Sequence, residues 1–168
     1  ENKFDLITSR FGVMFFDDPV AAFKNLHRSL KPTGRLVFLC WRTLQENPWM
    51  AEPAAATFQI LPPPAEKPGP TDPGPFSLGE AEHLTNVLQS AGFTNINLDP
   101  VDLGLPMSSV DTAVGFLTRL GPAADALKEA SDDQRVEVIA AIRSVMEKYS
   151  NVDGVLAPAA TWIISASK

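Results

Sequence analysis

Phe4-Asp-Leu-Ile-Thr-Ser-Arg-Phe-Gly12, then Leu30-Lys-Pro-Thr-Gly34, then Arg35-Leu-Val-Phe-Leu-Cys-Trp41: these runs decide the fold. Phe4 to Ser9 is short, mostly apolar and partly β-branched, which suits a strand buried on both faces of a parallel sheet. Asp17-Asp18-Pro19 is a helix start, with acid at the N-terminus and proline in the first turn. Ala22, Phe23, Leu26 and Leu30 follow at helical spacing and give one apolar face. Lys31-Pro32-Thr33-Gly34 stops the helix, and Leu36 to Trp41 reads as a second buried strand. A strand, crossover helix and strand of this length predict a parallel, right-handed βαβ unit.

Beyond Trp41 the chain is less regular. Ala51 to Leu61 suits a short helix. Seven prolines then fall between Pro62 and Pro75, so 42–76 reads as a Pro-rich lid or loop. Ser77 with Glu80 three residues on predicts a capping box for a helix running to Ala91 and ending at Gly92. Asn95 to Leu105 reads as a strand placed near an edge by Pro100. Helices are expected from Ser109 or Asp111 to Leu120, over Ala123 to Ala130, and from Ser131 to about Tyr149. For the last, Val136, Ile139, Ala140, Ile142 and Val145/Met146 are the expected apolar stripe. Gly154 to Ser167 closes the chain as a strand.

Bulk properties narrow the function classes. With 168 residues the chain predicts one domain, 1–168, with material for a real core. A net charge of −6 argues against a nucleic-acid surface, which needs clustered basic residues. The single cysteine, Cys40, makes neither an intrachain disulfide nor a CxxC metal site, and a cytoplasmic, reducing setting is expected. No apolar run approaches the roughly 20 residues that span a bilayer, so no membrane partner is expected. Residue 1 is Glu and no signal peptide is visible.

By this point the residues carry a likeness. The strand Phe4 to Gly12, the helix start Asp18-Pro-Val-Ala-Ala-Phe23 and the turn Lys31-Pro-Thr-Gly-Arg-Leu36 resemble class I S-adenosylmethionine-dependent methyltransferases, in the ubiquinone/menaquinone-biosynthesis-like, type 11 branch. There the pattern is a strand FDxxxxxFG, a helix ending LKPGG, then an apolar strand; Thr33 stands here for one glycine. Ser77 to Phe93 resembles the family's next helix, and Gly154 to Ser167 its last strand. The resemblance implies an α/β fold: a partial Rossmann-like sheet holding the fourth to seventh strands, the last antiparallel, with a helical insertion at 109–150. It implies S-adenosylmethionine as cofactor of the complete enzyme and a small-molecule methyl acceptor. The family's glycine-rich turn after the first strand, and the acid after the second, have no counterpart here, so the chain is expected to be the C-terminal half of that domain, with impaired cofactor binding.

Ser9, Arg10, Phe11 and Gly12 stand at the C-terminal end of the first strand, where ligands bind in open α/β sheets. The resemblance implies that they line the cofactor site; the plainer reading is a strand-to-loop junction. Trp41 and Arg42, with Trp49 and Met50, read as an apolar substrate wall with one cationic handle, or as core packing with a surface arginine. Cys40 reads as a buried, inert thiol. His27 and His83 lack ligand spacing, so no metal is expected, and helix N-terminal electrostatics accounts for Asp17 and Asp18. No nucleophile, base and orienter stand together, and the catalytic residues stay unassigned. Methyl transfer needs mainly alignment and exclusion of water, so this is no objection to it.

Two other readings remain. One is a non-catalytic α/β interaction module, a homo-oligomer pairing through its exposed first strand. The other is the back half of a nicotinamide-dependent dehydrogenase, whose Tyr/Lys pair would have to be built around the sole tyrosine, Tyr149.

Overall fold

The computed structural model describes residues 1–63, 69 and 71–168. Part of the Pro-rich stretch expected as a lid therefore lies outside the described residues. The chain divides into two compact units: Glu1–Thr43, Pro68–Asp102 and Ala160–Lys168 form the first, Leu44–Lys67 and Leu103–Ala159 the second.

The first unit is built on the predicted βαβ. Strand β1 (Phe4–Arg10) leads through a short 3-10 turn at Val13–Phe15 into helix α1 (Pro19–Ser29), and β2 (Leu30–Trp41) returns parallel to β1. Asp18 caps α1 by accepting from the Ala21 amide at 2.9 Å, and Pro19 occupies the first turn, where its missing N–H costs nothing. Pairing is regular from Leu6↔Arg35 to Arg10↔Leu39. It is irregular between Phe4 and Leu6, where Lys31-Pro32-Thr33-Gly34 interrupts the register. β5 (Gly154–Ser167) runs antiparallel to β2, from Arg35↔Ser167 to Trp41↔Thr161. The strand order is β1-β2-β5-β3, with β3 spanning Thr94–Met107. β3 carries Pro100 and Pro106 at the end of that order, the place in a sheet where proline is tolerated.

One side of this sheet is closed by α1 and α3 (Ala81–Ser90). Phe23 sits at the centre, its ring 5.4 Å from Phe38 and edge-on to Phe16 and Phe93. Leu36, Phe38 and Cys40 are fully buried, while the alternate residues Val37, Leu39 and Trp41 are half-buried. β1 ends the sheet: among the described residues no strand pairs with its other side, and Phe4 and Leu6 are 51% and 49% exposed.

The expected capping box at Ser77 is not formed. α3 begins at Ala81 with Glu80 at its cap, and Ser77 is buried, its hydroxyl donating to the Met14 carbonyl at 2.6 Å. A buried hydroxyl must find a partner, and the loop after β1 supplies one.

The second unit is largely helical: α2 (Pro48–Thr57), α4 (Val110–Leu117), α5 (Pro122–Ala126) and α6 (Asp132–Glu147), with a two-residue strand β4 (Ser150–Asn151) against Gly154–Val155. Ser109 caps α4, and Ser131 with Gln134 forms a complete capping box on α6. α6 packs on α2 and α4 through Val138, Ile142, Val145 and Met146. The stripe expected at Val136, Ile139 and Ala140 faces outward instead, with Val136 68% exposed. Two apolar stripes share this helix, and packing selects the i, i+4, i+7, i+8 row starting at Val138.

Candidate functional site

The carboxyl ends of the adjacent parallel strands β1 and β2 place five of the expected residues together. Ser9 and Arg10 close β1 opposite Phe38 and Leu39, Ser9 half-buried and Arg10 exposed. Phe11 leaves the strand with φ +55°, while its amide still donates to the Leu39 carbonyl at 3.1 Å. A bulky residue in the left-handed region costs about 1–3 kcal/mol and persists only where its surroundings hold it. The hold is visible: Phe11 stacks on Trp41, ring centroids 4.3 Å apart and planes inclined by 19°. Gly12 follows, and a Cβ there would stand 3.3 Å from the Ser9 hydroxyl. The result is an aromatic pair next to Gly12 and the Ser9 hydroxyl at the carboxyl ends of two parallel strands, the edge where α/β ligands bind.

Arg42, next to Trp41 in sequence, makes different contacts. Its amide donates to the Ala160 carbonyl at 3.0 Å and its guanidinium lies 5.2 Å from the Trp162 ring centre. Nη1 also pairs with Asp102 at 2.7 Å. The Trp162 indole is held in turn by its N–H, which donates to the Gly79 carbonyl at 2.7 Å. Gly79 is packed so closely that a Cβ would meet the Arg42 carbonyl carbon and the Thr43 nitrogen at 2.8 Å. The segment 74–79 thus straps both strand ends: the Gly74 amide and Ser77 hydroxyl bind Met14 O, and Gly79 lies on the Arg42–Thr43 peptide.

Trp49 and Met50 stand in the second unit. Both are buried; the Trp49 indole donates to Asn47 Oδ1 at 3.0 Å and its ring lies 6.4 Å from Phe116. Met50 packs against Gly121, whose φ of +77° and contact with the thioether leave no room for a side chain. Cys40 is buried, which pushes its thiol up to about 12 and keeps it protonated and unreactive. Among the described residues no group of three His, Cys, Asp or Glu could hold a metal ion, and no helix is long and apolar enough to cross a membrane.

Trp162, Asp102 and Gly79 had no signal in the sequence as partners of Arg42. They lie 120, 60 and 37 positions away, and only the antiparallel return of β5 and the strap bring them together.

An S-adenosylmethionine site requires a backbone loop able to approach the cofactor and a group for its ribose hydroxyls. The residues at this edge offer one wall: the Ser9 hydroxyl, the Phe11 ring and the side-chain-free Gly12. No glycine-rich turn follows β1 or β2. The fit is to part of such a site.

Residues 1–38 match the family described as Methyltransferase domain. The chain is 30% identical over 112 residues to the ubiquinone/menaquinone biosynthesis C-methyltransferase of Klebsiella pneumoniae, an alignment covering 62% of this chain and 45% of that protein. It therefore spans about half the length of the curated relative it matches. Among solved structures, the fold is shared with a cyclopropane-fatty-acyl-phospholipid synthase-like protein of Lactobacillus casei: TM-score 0.52, 13% identity, 100% of this chain and 57% of that one. It is shared also with a protein of Bacillus halodurans assigned as a methyltransferase: TM-score 0.50, 13% identity, 99% of this chain and 65% of that one. Residues 1–38 thus match the methyltransferase domain that the sequence resembles, and the chain shares its fold with these two solved structures.

Proposed function

We propose that this chain is the C-terminal half of an S-adenosylmethionine-dependent methyltransferase acting on a small molecule. The observation that supports this is the match of residues 1–38, which covers β1, α1 and most of β2. On this reading Ser9, Arg10, Phe11 and Gly12 line the cofactor, while Trp41 and Arg42 bound the acceptor. The bound cofactor would supply an electrophilic methyl group; the residues themselves align and shield. The Phe11–Trp41 stack excludes water from its neighbourhood, and the Arg42 guanidinium is oriented by Trp162 and Asp102. A cytoplasmic setting agrees with a lone, buried cysteine.

The glycine-rich loop that would complete the cofactor site has no counterpart in this sequence, so the chain by itself is expected to bind the cofactor weakly or not at all. Isothermal calorimetry with S-adenosylmethionine and S-adenosylhomocysteine tests this. Little or no heat supports the half-site reading. Low-micromolar binding overturns it.

A second reading has its own observation. The unpaired side of β1, with Phe4 and Leu6 half exposed, is a template for another strand. The chain then acts as an α/β interaction module that self-associates by pairing β1 with its copy. Sedimentation separates the two readings, as set out below.

A further inference from the structure

Away from the sheet edge, cations converge at one place. In the second unit Thr118, Arg119, Ala124, Leu127, Lys128 and Arg135 line a shallow, open groove of about 390 Å³. Three of these six residues are cationic, in a chain whose net charge is −6. Like charges gathered around one space repel, so the arrangement needs a reason.

The hydrogen bonds show how the cations are held. Arg119 Nε donates to the Gly115 carbonyl at 2.6 Å. Arg135 Nε donates to the Ala130 carbonyl at 3.2 Å and Nη2 to the Lys128 carbonyl at 3.3 Å. These acceptors are neutral, and among the described residues no carboxylate forms an ion pair with Arg119 or Arg135. Lys128 pairs with Asp125 at 2.6 Å, but both side chains are exposed, and such a pair is weak and readily exchanged. Of the other acids nearby in sequence, Asp132 and Asp133 lie in the first turn of α6, where the helix end accommodates them, and Glu129 is exposed. The groove also has apolar members in Ala124 and Leu127.

We propose that this groove binds a phosphate monoester of a small organic molecule. The carbonyls engage Nε of both arginines and Nη2 of Arg135, which leaves Nη1 of each and Nη2 of Arg119 to donate to phosphate oxygens, and Lys128 adds a point charge. A dianionic phosphate balances three cations better than a single carboxylate does. Ala124 and Leu127 provide contact for the carbon part of the ester.

The test is a titration of the full chain with inorganic phosphate and with glycerol 3-phosphate, glycerol serving as the neutral control, followed by amide NMR at low ionic strength. Saturable shifts at Thr118, Arg119 and Lys128 with both phosphates, and none with glycerol, are expected. Arg119→Gln and Arg135→Gln should each weaken binding about tenfold, the worth of one lost charge-assisted hydrogen bond. Asp125→Asn should tighten it by freeing Lys128. Arg119 bonds only within its own turn among the described contacts, so that variant decides the matter if Arg135→Gln does not fold. Shifts that fail to saturate, or that persist unchanged in Arg119→Gln, would overturn the proposal. So would Arg119-dependent sedimentation with phosphatidic acid vesicles in the absence of small-phosphate binding, which would assign the groove to a lipid surface.

Discussion

Gly79 carries much of the geometry around Arg42. Its missing side chain lets the strap lie on the end of β2, and its carbonyl fixes the Trp162 indole. Gly79→Ala must push backbone from backbone, which a flexible neighbour cannot absorb, and is expected to destabilise by about 1–3 kcal/mol. Gly74→Ala, where the nearest atom is the Asp72 carbonyl oxygen at 3.8 Å, should be near neutral. Urea unfolding of the two variants side by side measures the difference; equal midpoints would contradict the strap. At His27, burial and then the charge of Lys168 hold the imidazole below its usual value, against a smaller opposing contribution from the Gly92 backbone. A lowered folded-state value means that the unfolded chain takes up the proton first. Stability is therefore full above about pH 6.5 and declines as pH falls below it. His27→Gln should flatten that part of the stability profile; an unchanged slope would show that carboxylates alone govern it.

At the scale of elements, the end of α6 meets Glu52 of α2 through two polar contacts, the nearer from Tyr149 and the other from Lys148 at 3.6 Å. The Tyr149 hydroxyl, just beyond α6, donates to Glu52 of α2 at 2.7 Å. Burial, then the hydrogen bond and the charge of Glu52, push the phenol up to about 12. Because the folded value is raised, the fold favours the protonated phenol. That stabilisation is complete below pH 10 and is lost as pH rises towards 12. Tyr149 is the sole tyrosine, so phenolate absorbance reads it directly, and a transition at the ordinary value near 10 would contradict the contact. Tyr149→Phe should cost about 1–3 kcal/mol by leaving Glu52 Oε1 without its donor.

Elements also show why some of the structure was legible in the sequence. β1, α1 and β2 were readable because each carries its own signal: a continuous apolar run, Asp18-Pro19 at the start, Lys31 to Gly34 at the stop. Ser77 and Val136 misled for a common reason. Both satisfy a local rule, capping and helical periodicity, that packing overrides: Ser77 is claimed by Met14, and Val136 loses the interior to Val138 and Ile142. The sequence pairing of Trp41 with Arg42 could not foresee that one stacks on Phe11 while the other lies over Trp162, since those partners are fixed by strand order alone.

For the whole molecule, β1 is an edge whose other side pairs with no strand among the described residues. Edge strands with apolar side chains recruit another strand unless blocked by charge. The chain should therefore sediment as a dimer or larger species at micromolar concentration, and Leu6→Lys should shift it towards monomer. A wild-type monomer under those conditions would remove the interaction-module reading and leave the methyltransferase half-site standing alone.

The central claim is that the end of β1 is one wall of a cofactor site. Amide NMR of the full chain titrated with S-adenosylhomocysteine tests it most directly. The account predicts weak binding with shifts concentrated at Ser9, Arg10, Phe11 and Gly12 and extending to Trp41 through the stack. Shifts centred elsewhere in the chain while the amides of Ser9 to Gly12 stay unmoved would contradict it.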